Sequence, residues 1–140
     1  MNKCLIAILA LSLCLSTTVA CFAKDSNKPV YGRASPNYTS VISISAVLNR
    51  YGNNAKLAIS ARERSSLSTI TGTFKLVNSA GDVVSTTHGS LRKSGITHTY
   101  SHTFSLPKKD SYRVKYTLKT YKNGSLKETI KGTTNTITRD

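Results

Sequence analysis

Acidic side chains are scarce in this chain: six Asp and Glu stand against 20 Lys and Arg in 140 residues, a formal charge of +14. That scarcity narrows the scope for catalysis before any motif is sought. The six acids are dispersed as Asp25, Glu63, Asp82, Asp110, Glu128 and Asp140, so no carboxylate pair is evident for general acid–base work. Asp82 and Asp110 sit in turn-forming stretches, Asp25 and Asp140 lie near the termini, and Glu63, between Arg62 and Arg64, reads as a salt-bridged loop residue. No nucleophile elbow or lysine-paired serine motif occurs. No catalytic residue, cofactor or enzymatic activity is therefore expected.

Cysteine is absent beyond residue 21: Cys4, Cys14 and Cys21 are the only three. A disulfide framework for the body of the chain is thereby excluded. A transmembrane helix is not expected either, because the longest apolar run, residues 5–15, falls short of the roughly 20 residues a span requires. Lys3 precedes that run, and small residues follow it to Cys21-Phe22-Ala23, so residues 1–23 read as an export signal. Cleavage after Ala23 would remove every cysteine. Cleavage after Ala20 would instead leave Cys21 first, in Thr18-Val19-Ala20-Cys21, loosely like a bacterial lipobox with Thr18 where Leu is usual. Membrane anchoring follows only from lipidation of Cys21 in the second case. The expected location is secreted or extracellular, with cell-wall association open.

Without Lys3, 19 basic residues face six acids, so the exported chain carries +13. Such a surface favours anionic partners such as wall polymers, acidic glycans or lipid head groups, and it also serves solubility. No specific nucleic-acid motif accompanies the charge.

Residues 24–39 carry Pro29, Gly32 and Pro36 among polar residues and read as a flexible leader. From residue 40 to 138 a single domain is expected, in which period-two alternation takes over. The predicted strands are residues 40–48, 56–62, 69–77, 83–87, 96–106, 112–121 and 126–137, with a basic loop at 89–95. Seven short strands separated by turns point to an all-β antiparallel sandwich.

The last hairpin turns at Asn123-Gly124. A two-residue loop would place Leu126 and Ile130 on the face that carries Arg113 and Lys115. A three-residue loop with a bulge reverses the parity. Leu126 and Ile130 then join Tyr116 and Leu118 in the core, and Lys127 and Lys131 join Arg113, Lys115 and Lys119 outside. Burial favours the second register, because a one-residue slip turns every side chain over.

Asp110-Ser111-Tyr112-Arg113-Val114 resembles the tyrosine corner of immunoglobulin-like domains. There a Tyr opens strand F and caps nearby backbone, and the residue two later, here Val114, is buried. The strand C tryptophan is missing, with Phe74 in its place, so the resemblance is to the broader immunoglobulin-like and fibronectin-III-like class. More narrowly, the chain resembles small secreted sandwich proteins of Gram-positive bacteria. They share an export signal, a short leader, and one sandwich ending in a Tyr-rich strand and an Asn-Gly hairpin. That group implies a fold but no activity.

His98 and His102 share a strand face with Tyr100, but about 13 Å separates two strand positions four residues apart, too far to share one metal ion. No metal site is expected. The candidate binding residues are the cations: Arg113, Lys115, Lys119, Lys127 and Lys131, extended by Arg92 and Lys93. Function is expected to be non-enzymatic binding of an anionic wall or extracellular polymer or glycan through this basic face. The alternative is a structural or interaction module that takes a protein partner along an exposed sheet edge. A third possibility is that lysines on exposed strands simply blunt sheet-to-sheet aggregation.

Overall fold

The computed structural model describes residues 38–140, so the export signal, its cleavage sites and the leader to residue 37 lie outside them. The described residues form β1 (Val41–Tyr51), β2 (Asn54–Glu63), β3 (Thr69–Val77), β4 (Val83–Ser90), β5 (Arg92–Ser94), β6 (Thr97–Ser105), β7 (Asp110–Lys122), β8 (Ser125–Thr133) and β9 (Ile137–Arg139). Among them there is no helix.

Two antiparallel sheets result. The first has the order β1-β2-β6-β5; the second has the order β4-β3-β7-β8, with β9 paired to the start of β7. In immunoglobulin letters these are A-B-E-D and C′-C-F-G, which makes the fold an immunoglobulin-like sandwich. Nine strands replace the expected seven for two local reasons. Arg92–Ser94 pairs with β6 inside the stretch expected to be a loop, and the last strand breaks after Thr133 before resuming as β9.

Alternation decides what is buried. Ile44, Ala46 and Leu48 of β1, Leu57, Ile59 and Ala61 of β2, Phe74 and Leu76 of β3, and Val114 and Leu118 of β7 all enter one core. Burying a Leu, Ile or Phe side chain contributes about 1.5–3 kcal/mol, so a cysteine-free sandwich is sustainable. Tyr112 is buried, and its hydroxyl donates to the Lys108 carbonyl at 2.8 Å. Asp110 bonds the Ser79 hydroxyl and the Ser111 N–H, which lower its pKa and commit it to this corner.

The final hairpin corrects one expectation and keeps another. Asn123 and Gly124 both have positive φ, 51° and 77°, as a type I′ turn requires, and Lys122 pairs directly with Ser125. The loop therefore has two residues, not three. Parity changes one step later, where Thr120 faces Glu128 but Tyr121 faces Leu126, leaving Lys127 as the extra residue of a bulge. Ile130 is fully buried as expected. Leu126, expected inside, is 53% exposed beside Tyr121 because it precedes the bulge.

The two sides of the sandwich are closed differently. On the β1/β8 side, the Glu128 carboxylate accepts from the Thr39 N–H at 3.2 Å, the Ser40 N–H at 3.1 Å and the Ser40 hydroxyl. The Asn135 amide both accepts from the Leu48 N–H and donates to the Leu48 carbonyl, each at 2.8 Å. Arg50 reaches the Thr138 carbonyl and Asp140, each at 2.9 Å. On the β4/β6 side the bridge is aromatic. Phe74 and Tyr100 stack with centroids 4.6 Å apart and planes 8° from parallel, and the Tyr100 hydroxyl lies 3.4 Å from that of Thr87.

Candidate functional site: a basic face on the second sheet

Because Gly72, Phe74 and Leu76 of β3 and Tyr116 and Leu118 of β7 are turned inward, the residues between them form the outer face. Cross-strand pairing arranges it as three rows. Thr71 lies between Ser90 and Lys119, Thr73 between His88 and Thr117, and Lys75 between Thr86 and Lys115. Beyond β7, Lys119 faces Thr129, Thr117 faces Lys131 and Lys115 faces Thr133. These 12 positions hold four lysines, one histidine, seven hydroxyl residues and no acid.

Two shallow grooves cross this face. One, of about 420 Å³, is lined by Thr73, Lys75, Lys115, Thr117 and Lys131 among others. The other, of about 430 Å³, is lined by Thr71, Thr73, His88, Ser90, Lys119 and Tyr121. Thr73 and Thr117 floor both, and the Thr73 hydroxyl is 3.0 Å from His88 Nδ1. Tyr116, turned inward beneath the first groove, has its pKa raised by burial and secondarily by Tyr38. Lys75 directly opposes Lys115, a like-charge pair that costs stability in the absence of an anion.

Of the residues singled out in the sequence, Lys115, Lys119 and Lys131 converge here. Lys75 joins them although it was not singled out. Its position between the inward-facing Phe74 and Leu76 was the available signal. Arg113 pairs with Val77 near the start of β7, half-buried, with its Nε buried and unpartnered among the described residues. Lys127 is exposed at the bulge. Arg92 lies on the other sheet, where it borders a groove of about 530 Å³ with Ser60, Thr99 and Ser101.

Lys93 is also elsewhere, committed to a buried acid. Its ammonium donates to both Glu63 oxygens at 3.0 and 3.2 Å and to the Leu67 carbonyl at 2.6 Å. Glu63 also accepts from the Leu67 N–H at 3.0 Å and from Nε2 of fully buried His98 at 2.9 Å. Burial by itself would raise the Glu63 pKa. The bonds from His98, Leu67 and Lys93, with the Lys93 charge, outweigh it and hold the carboxyl at about 2. The expected partners Arg62 and Arg64 are not involved: Arg62 points outward one residue away, and the true partners come from β5 and β6. Among the described residues no group of three His, Cys, Asp or Glu side chains is placed to hold a metal ion.

The fold and face thus define an immunoglobulin-like sandwich with one cationic, hydroxyl-rich sheet surface. No family model matches the chain, and no curated protein is detectably similar. Among solved structures it is similar to part of a β-glucuronidase from Ruminococcus gnavus. The apo form matches with 11% identity and a TM-score of 0.43 over 69% of this chain and 16% of that one. The complex with D-glucaro 1,5-lactone matches with 11% identity and a TM-score of 0.44 over 69% and 15%. The chain therefore spans about one-sixth of that enzyme's length.

Proposed function

We propose that this protein is a secreted, non-enzymatic binding module that holds an anionic wall or extracellular polymer, such as an acidic glycan, on the outer face of its second sheet. The observation that carries this reading is the 12-position face with four lysines and no carboxylate. Strand spacing sets such positions about 4.8 Å apart across the sheet and about 7 Å apart along it, a scale suited to repeated anionic groups. The threonine hydroxyls supply hydrogen bonds between the charges, and an anion over Lys75 and Lys115 relieves their mutual repulsion.

The test is retention on an immobilised sulfated polysaccharide and on purified anionic wall polymer at low and high salt. Lys115→Glu/Lys119→Glu should weaken binding about tenfold or more, and a control of equal charge on the other sheet, Lys56→Glu/Arg62→Glu, about twofold. Equal losses from the two pairs would reduce the effect to net charge and overturn a site on this face. High salt should weaken the wild type more than the face variant.

A further inference from the structure

The first sheet is incomplete along one edge. β5 pairs with only Thr97, Thr99 and the His98 between them, whereas β2 pairs with β6 throughout. Residues 100–105 of β6 thus face no strand on the β5 side among the described residues, an opening of about 20 Å. The direction of its backbone groups follows from two bonds. The Leu106 N–H donates to the Asn53 carbonyl, and the Ile96 carbonyl accepts from the Glu63 N–H, so even-numbered residues address β2. By antiparallel alternation, Ser101, Thr103 and Ser105 direct their N–H and C=O groups into the opening.

The other edges carry protection that this one lacks. β1 is capped by Asn135 and Glu128. β8 has the Lys127 bulge and Lys131, and β4 has a register break at Leu76/Val77 and follows Asp82. β6 has no charged residue, proline or bulge against β2. Charge lies at its two ends: Arg92, where β5 begins, and, in the turn beyond, exposed Lys108 and Lys109, with Asp110 committed to the tyrosine corner and Arg139 on the Leu106 carbonyl.

We infer that the 100–105 edge of β6 takes an extended acidic peptide as an added strand, antiparallel to β6, with its C-terminal carboxylate against Arg92. The line of β5 sets the direction: a strand continuing it upstream of Arg92 ends near that residue, which also borders the groove crossing the outer face of β1, β2 and β6. Acidic residues at the peptide's other end meet Lys108 and Lys109. A second copy of this chain fits worse. Two-fold antiparallel pairing would bring Lys108 and Lys109 of one copy beside Arg92 of the other, like charges together. This site is separate from the basic face of the second sheet.

An N-acetylated hexapeptide that begins and ends in Glu, with alternating Thr and Val between and a free C-terminal carboxylate, is the probe. Amide exchange measured by NMR should show added protection at Ser101 and Thr103. Amidating the peptide's C-terminus or introducing Arg92→Glu should each weaken binding about tenfold. N-methylation of alternate peptide residues should abolish protection with the wild-type protein, so the test does not rely on a variant that fails to fold. Lys115→Glu/Lys119→Glu, on the other sheet, should weaken peptide binding by no more than about twofold, the effect of net charge alone, and a loss as large as that from Arg92→Glu overturns the placement at this edge. Protection appearing at β4 or β8 instead, or none at millimolar peptide, overturns the inference. Concentration-dependent protection without peptide overturns it in favour of self-association.

Discussion

The β1/β8 and β4/β6 sides of the sandwich do the same structural task with different chemistry. On the first, Glu128 and Asn135 spend their side chains on backbone groups at β1's margin, binding two sheets and satisfying an edge together. On the second, Phe74 and Tyr100 join the sheets by stacking their rings. The difference teaches that cohesion between sheets and closure of an edge are separable. A polar bridge achieves both, whereas an aromatic bridge leaves the neighbouring strand's hydrogen-bonding groups facing water.

The β4/β6 side is anchored at one end by Glu63, which ties β2, β5 and β6 together, so its removal should have the largest effect. Glu63→Ala should cost about 3 kcal/mol in urea unfolding, since fully buried His98 loses its hydrogen-bond partner, the Leu67 N–H loses its acceptor and Lys93 loses its ion-pair partner. The same group predicts a pH signature. Its folded pKa of about 2 lies below its ordinary 4.5, so the folded state binds the proton less tightly than the unfolded chain. The stabilisation is complete above about pH 4.5 and should fade as pH falls toward 2, a slope that Glu63→Gln should flatten.

On the opposite side, Glu128→Ala should cost about 2 kcal/mol and Asn135→Ala about 1 kcal/mol, each stranding backbone groups of β1 or its approach. Both should speed amide exchange at the β1 margin and leave β6 unaffected. Thr87→Val is the smallest change, within about 0.5 kcal/mol, because its 3.4 Å contact with Tyr100 is long and partly exposed. A loss as large as that at Asn135 would show that the β4/β6 side depends on polar bridging after all.

Strand faces were legible because alternation reports burial directly: Leu57, Ile59 and Ala61, or Val114, Tyr116 and Leu118, can point only one way if the core is to form. The parity of Ile130 followed from the same logic, yet the device that produces it did not. Asn123-Gly124 dictates its own two-residue turn, and the compensation falls at Lys127, where nothing local marks a bulge. β5 was invisible because Arg92, Lys93 and Ser94 are all exposed and carry no pattern; only pairing with residues 97–99 makes them a strand. Lys93 and Glu63 were misread for a related reason, since their partnership spans 30 residues and two intervening strands. The three lysines Lys115, Lys119 and Lys131 were found because one hairpin holds them, while Lys75 required the knowledge that β3 lies next to β7.

The Phe74–Tyr100 stack also gives the molecule a built-in optical reporter. With no tryptophan to mask them, seven tyrosines supply the ultraviolet signal, and Tyr100 has its ring parallel to an aromatic of the facing layer. Separation of the layers at that margin would unstack this chromophore first, so near-ultraviolet dichroism would follow local breathing there without any attached dye.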